Sequence, residues 1–178
     1  VAWHDSETLA DTIRQINKQS NNVMARTLLL TLGAEKNGAG ATPQTGASAA
    51  MALLHALGVD TGGWTIVNGA GLARGSRLTA QGLAGMLDVA WHSSLMPEFV
   101  SSLAISGVDG TVRRRLRGDD VRGMAHLKTG TLRDSRALAG YVLGASGKRY
   151  IVVSLVNDER SAAIRPFDDA LITWLAER

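Results

Sequence analysis

Cysteine is absent from the chain, which excludes disulfides, thiolate nucleophiles and zinc–thiolate sites while remaining compatible with a reducing or an oxidising compartment. Aromatic residues amount to only 4% and prolines to three, and no apolar run approaches the length of a membrane span. The opening residues, Val1-Ala2-Trp3-His4-Asp5, are not a basic-then-apolar leader. A piece that begins inside a longer protein would have lost any leader, so export is left open. His4, His55, His92 and His126 stand far apart, with no i,i+4 pair and no carboxylate motif beside them, so no metal site is expected. The glycines of Asn68-Gly69-Ala70-Gly71 fit neither phosphate-loop spacing, so no nucleotide is expected, and no cofactor of any kind is called for.

What is present is a globular composition. With 45% hydrophobic and 20% charged residues over 178 positions, the chain can bury one sizeable core and falls outside disordered and collagen-like classes. A net charge of +3 makes neither nucleic acid nor an anionic membrane a required partner, although it suits an acidic substrate. The densest charge run, Arg113-Arg114-Arg115-Leu116-Arg117 with Arg122, is flanked by Asp109, Asp119 and Asp120 and has little aromatic interleaving. A solvated helix face is expected there, not a nucleic-acid site.

Local patterns divide the chain into helices first and strands later. Ser6 is placed to cap a helix whose Leu9, Ile13 and Ile16 follow at helical spacing, ending near Lys18. Ser20-Asn21-Asn22 interrupts it, and a second apolar helix is expected from Val23 to Leu32. Ala34 to Gly46 reads as a loop, followed by a helix from Ala47 to Leu57 that Gly58 stops. Trp64 to Val67 suggests a short strand, with a turn at 68–71. Thr79 caps a helix from Ala80 to Trp91, and Leu95 to Leu103 suggests another with Pro97 in its first turn.

Met124 to Lys128 predicts a strand that delivers Lys128-Thr129-Gly130. Ala137 to Leu143 and Tyr150 to Val156 predict an antiparallel hairpin turning at Ala145-Ser146-Gly147-Lys148. Pro166 then opens a closing helix through Phe167, Leu171 and Leu175, with Trp174 on or near its apolar face. The four tryptophans are expected in core or subsurface packing. This order predicts an α+β (mixed α/β) fold, an antiparallel sheet with flanking helices, and no repeat or linker within residues 1–178.

Two polar triads carry the chemistry. Ser20-Asn21-Asn22 lies between two expected helices, and Lys128-Thr129-Gly130 follows about a hundred residues later. Each alone has a plain reading, a capping turn for the first and a solvated strand end for the second. In this order they form the second and third elements of the serine acyltransferase signature of penicillin-binding proteins and related β-lactamases. The first element, Ser-x-x-Lys, is missing: no serine here has a lysine three positions on.

Peptide acyl transfer needs a nucleophile, a proton relay, an oxyanion hole and a hold on the substrate. Ser20 suits the relay between an absent nucleophile and the leaving nitrogen, and the Asn22 amide suits the substrate backbone. Lys128 suits a substrate carboxylate, with hydroxyls on Thr129 and Thr131 beside it. Gly130 lets a ligand approach the strand edge and reach groups such as the Thr131 N–H, a candidate oxyanion donor.

Beyond the triads, the chain resembles the D-alanyl-D-alanine carboxypeptidase/endopeptidase family of low-molecular-mass class C penicillin-binding proteins, the DacB type. The resemblance rests on residues 16–22, on 68–74 with Arg77-Leu78-Thr79, on Gly107-Val108-Asp109-Gly110-Thr111, and on Lys128 to Leu132 followed by Leu138-Ala139-Gly140-Tyr141. It spans nearly the whole chain but only the family's C-terminal region, so residues 1–178 are expected to be the C-terminal part of a penicillin-binding DD-peptidase domain.

The resemblance implies a serine β-lactamase/penicillin-binding-protein transpeptidase-like fold and an exported, periplasmic enzyme. It implies cleavage of peptidoglycan stem peptides ending in D-Ala-D-Ala or of D-Ala cross-links, and inhibition by β-lactam antibiotics. It assigns catalytic-cleft positions to Ser20, Asn22, Lys128 and Thr129, and to Arg74 a pocket facing the end of the peptide's side chain. Asn21 stands where Asp is common. The absent Ser-x-x-Lys region makes the N-terminal remainder of the same protein an expected partner and the chain alone inactive. A β-lactamase or D-amino-acid esterase, or a noncatalytic binding or scaffold protein on the same fold, are the alternatives, and homo-oligomerisation is left open.

Overall fold

The computed structural model describes residues 2–3, 5–118 and 120–178. His4, one of the four scattered histidines, and Asp119, one of the acids flanking the arginine run, lie outside the described residues, as does Val1. Six α-helices among the described residues are α1 (Leu9–Gln19), α2 (Asn22–Asn37), α3 (Pro43–Ala56), α4 (Ala80–Trp91), α5 (Met96–Ser102) and α6 (Arg165–Ala176). Four strands, β1 (Ala104–Ile105), β2 (Ala125–Thr131), β3 (Ser135–Leu143) and β4 (Arg149–Asn157), form one antiparallel sheet in sequential order.

The sheet is buried on both faces because its strands alternate two apolar sets. Leu127, Leu138, Val142 and Val152 pack with Ile172 and Ala176 of α6. Tyr141, Ala139 and Val153 point the other way and pack with Leu87 of α4 and Val100 of α5. Each fully buried aliphatic side chain of this kind contributes about 1.5–3 kcal/mol. Tyr141 is fully buried, and its hydroxyl donates to the Leu87 carbonyl at 2.7 Å. That burial pushes its pKa up to about 12, with the nearby Asp88 charge acting in the same sense. The result is helix, sheet, helix.

Several expectations need correction. Thr8, not Ser6, caps α1, its hydroxyl accepting from the Asp11 N–H. α2 runs to Asn37 and α3 starts at Pro43, so most of the expected 34–46 loop is helical. Glycine is tolerated there because α2 and α3 cross in close contact: a Cβ on Gly46 would lie 2.2 Å from the Leu29 carbonyl oxygen. Residues 64–67 form only an isolated bridge, Thr65 with Arg77.

The arginine run is not a helix face. A 3₁₀ turn at Gly110–Val112 and a left-handed Leu116 (φ 53°) bend it, and Val112 and Leu116 enter the core. Arg115 folds inward, its Nη2 2.7 Å and its Nε 3.0 Å from Asp169 of α6. The aromatic assignments on α6 also fail. Its buried ridge is Asp168, Ile172 and Ala176, leaving Phe167 61% and Trp174 49% exposed. Trp174 is instead covered by the Arg178 guanidinium at 4.6 Å. Trp3 is 91% exposed.

An apolar groove of about 390 Å³ opens between α2 and the 65–78 segment, lined by Leu28, Leu29, Leu32, Ile66 and Leu78 among others. Neither polar triad lines it. Among the described residues no helix is long and apolar enough to cross a membrane.

Candidate active site

β2 carries Lys128 to Thr131 on the stretch where the sheet becomes open-edged. β1 pairs only with His126 and Leu127, so beyond Leu127 the strand is paired with β3 alone. Backbone groups alternate sides along an antiparallel strand. The Ala125 carbonyl accepts from the Ser106 N–H on the β1 side at 2.9 Å, and the Leu132 N–H donates to the Ser135 carbonyl on the β3 side at 2.9 Å. Thr129 and Thr131 therefore turn their N–H and C=O groups to the open edge. Side chains alternate in the other sense. Leu127 enters the α6 core, while His126 lies on the helix side with its Nδ1 3.1 Å from the Val100 carbonyl of α5, and Lys128 and Gly130 share that face. Gly130 leaves the surface there low; a Cβ would come within 3.2 Å of that of Ala137.

The Lys128 ammonium donates to Ser20 Oγ at 3.0 Å and to the Thr129 carbonyl at 2.8 Å. Burial holds its pKa below the ordinary lysine value, because leaving water disfavours the charged form. Among the described residues, no carboxylate lies within ion-pair distance of it. The ammonium is thus fixed by two neutral acceptors and left with its charge uncompensated beside the open edge, an arrangement that suits an incoming carboxylate.

Ser20 reaches Lys128 from the end of α1. It is the C-cap in left-handed conformation (φ 54°, ψ 48°), a region that costs a non-glycine residue roughly 1–2 kcal/mol. Asn21 caps α2, its Oδ1 accepting from the Met24 N–H at 3.1 Å. An aspartate would cap the same N–H, so the cap survives the departure from the common residue. Asn22 is the first residue of α2 and is exposed. The triad is therefore a capping turn that also presents a hydroxyl to Lys128.

On the other face of β2, Thr129 Oγ1 lies 2.8 Å from Thr111 Oγ1. Thr131 is exposed at the end of the strand. Arg74, 76% exposed, stands at the turn after β2, its Nη1 3.0 Å from Asp134 Oδ2. That hydrogen bond holds the Asp134 carboxyl below the usual range. The structure thus brings Ser20, Lys128 and Thr129 together and ties Arg74 to the β2–β3 turn, while among the described residues no hydrogen bond joins Asn22 to this group.

The whole chain, residues 1–178, matches the D-Ala-D-Ala carboxypeptidase 3 (S13) family. The chain belongs to this family. It is similar to the D-alanyl-D-alanine carboxypeptidase of Actinomadura sp. (strain R39), 35% identical over 98% of this chain and 35% of that protein. It is also similar to carboxypeptidase DacB of Mycolicibacterium smegmatis, 32% identical over 98% of this chain and 39% of that one. Its fold is that of penicillin binding protein 4 (dacB) from Haemophilus influenzae, solved in complex with a β-lactam. The TM-score is 0.86 at 23% identity, covering 94% of this chain and 41% of that one. The chain spans 35% and 39% of the length of these two curated relatives.

The sequence reading did not find Thr111 as a neighbour of Thr129 or Asp134 as the partner of Arg74. Nor did it find the ion pair between Lys18 and Asp109. Thr111 belongs to Gly107-Val108-Asp109-Gly110-Thr111, a stretch that counted toward the family resemblance without a role. Pairing it with Thr129 needs knowledge of where the turn sits.

Proposed function

We propose that this chain is the C-terminal part of the catalytic domain of a serine DD-peptidase. In this reading the full-length enzyme cleaves D-Ala-D-Ala termini or D-Ala cross-links of peptidoglycan through an acyl-enzyme. It is exported to the periplasm and is inhibited by β-lactams, and the Ser-x-x-Lys nucleophile comes from the N-terminal remainder. The observation that carries this reading is the 3.0 Å contact between Lys128 Nζ and Ser20 Oγ, made between the two signature triads beside an open strand edge.

The chemistry follows from donor and acceptor roles. An ammonium only donates, so Ser20 accepts from Lys128 and keeps its own proton free. That proton is the one to deliver to the leaving nitrogen, and Ser20 regains one from the nucleophile side. The substrate lies extended along the edge of β2, where backbone pairing sets its register and Lys128 and Thr129 hold its carboxylate. The Thr131 N–H, facing that edge, stabilises the oxyanion. Asn22, exposed at the start of α2, contacts the substrate backbone from the cleft wall. Arg74 holds the carboxylate at the end of the stem peptide's side chain, exchanging Asp134 for it.

The test is release of D-alanine from an N-acyl-D-Ala-D-Ala peptide by the full-length enzyme. Lys128→Ala should lower acylation by roughly one to two decades, the loss of a charged hydrogen bond worth about 1.5–3 kcal/mol. Unchanged turnover in that variant would remove Lys128 from the site. An acyl-enzyme with penicillin that is hydrolysed within seconds would instead point to a β-lactamase.

A further inference from the structure

We infer that Thr111 is a positioning residue for the carboxylate-binding hydroxyl of Thr129, resting on the function proposed above. The two hydroxyl oxygens are 2.8 Å apart, so one donates and the other accepts. A bound carboxylate accepts only. With a carboxylate in place, Thr111 must donate to Thr129 Oγ1, which leaves the Thr129 proton free to point at the anion. Without that donor the Thr129 hydroxyl is an unconstrained rotor and reaches the anion in only a fraction of its orientations.

The turn that carries Thr111 is built to hold it there. Asp109 Oδ1 accepts from the Ile105 N–H at 2.8 Å, and its other oxygen pairs with the Lys18 ammonium. Gly110 follows at φ 56°, where a Cβ would lie 2.6 Å from that of Ala104 and 2.8 Å from the Lys18 carbonyl oxygen. Only glycine lets the turn sit this close. The last turn of α1 therefore clamps the 109–111 turn through Lys18 and presents Ser20 to Lys128 two residues later. One helix end fixes a hydroxyl above the open edge of β2 and another below it.

The experiment uses the full-length enzyme and two N-acyl-D-alanyl thiolesters, one with a free carboxylate on its leaving group and the other blocked as the methyl ester. Thr111→Val keeps the shape and removes the hydroxyl. The result expected is that it slows acylation by the free acid about three- to tenfold, the scale of one neutral hydrogen bond, and leaves the methyl ester and the melting temperature unchanged. Thr111→Ser should restore the free acid to within about twofold. Equal slowing of both thiolesters, or no slowing of either, would overturn the role of Thr111 while leaving the peptidase reading in place. A wild-type enzyme that accepts neither thiolester would overturn that reading and this inference with it.

Discussion

Ser20 carries two demands at one position, a left-handed backbone (φ 54°) and a hydroxyl on Lys128. Glycine meets the first and not the second. Ser20→Gly should therefore be more stable than Ser20→Ala by up to about 1 kcal/mol, the relief of left-handed strain less the extra chain entropy of glycine. Ser20→Ala keeps the strain and takes from the partly buried Lys128 ammonium one of its two acceptors, so it should lose about 1.5–3 kcal/mol of stability. Both should slow acylation alike, because both lose the hydroxyl proposed as the proton relay. Denaturant unfolding beside acylation rates reads both, and a Ser20→Gly no more stable than Ser20→Ala would show that the conformation is not strained.

Arg74 poses a different question, because its guanidinium already has Asp134. An exposed pair of this kind contributes little to stability and is readily exchanged for a better-placed anion. Arg74→Ala should therefore weaken turnover of stem peptides that carry a free carboxylate at the side-chain terminus and spare those without it. Equal effects on the two peptides would return Arg74 to a surface role.

Among the elements, β2 shows most clearly how the sheet is tied to a helix packed on it. His126 sits between β2 and α5, its Nδ1–H donating to the Val100 carbonyl. Burial lowers its pKa, the Val100 bond opposes this, and the charges of Lys18 and Arg149 add to the lowering while Asp109 counters them. A depressed folded-state pKa means that the unfolded chain binds the proton first as pH falls. Stability is thus full above the unfolded histidine value near 6.5 and declines as pH drops through the lowered value. His126→Gln should flatten the loss in melting temperature between pH 7 and 5, and an unchanged slope would assign that loss to other groups.

The elements that the sequence predicts well are those whose signals are local. Thr79 caps a helix at Ala80–Trp91, and the hairpin strands β3 and β4 contain the two expected runs. The failures need contacts between distant segments. The glycine-rich 34–46 segment is mostly helical because α2 and α3 touch through Gly33 and Gly46, and Arg115 turns inward because Asp169 lies 54 residues away. The same holds for the site. The triads are legible as motifs, but that Lys128 meets Ser20, that Thr111 meets Thr129, and that β1 stops short of Lys128 depend on how the sheet and α1 are assembled.

For the whole molecule, the proposed function has residues 1–178 supply a relay, a carboxylate site and an open strand edge, while they contain no Ser-x-x-Lys. The account therefore divides catalytic competence between this chain and the N-terminal remainder. The most direct measurement is covalent labelling by a fluorescent penicillin, read after denaturing electrophoresis, on the isolated chain, the full-length enzyme and its Lys128→Ala variant. The account predicts no label on the isolated chain, a stable label on the full-length enzyme, and labelling slowed about ten- to a hundredfold in the variant. A labelled isolated chain, or a full-length enzyme labelled equally fast with and without Lys128, would contradict it.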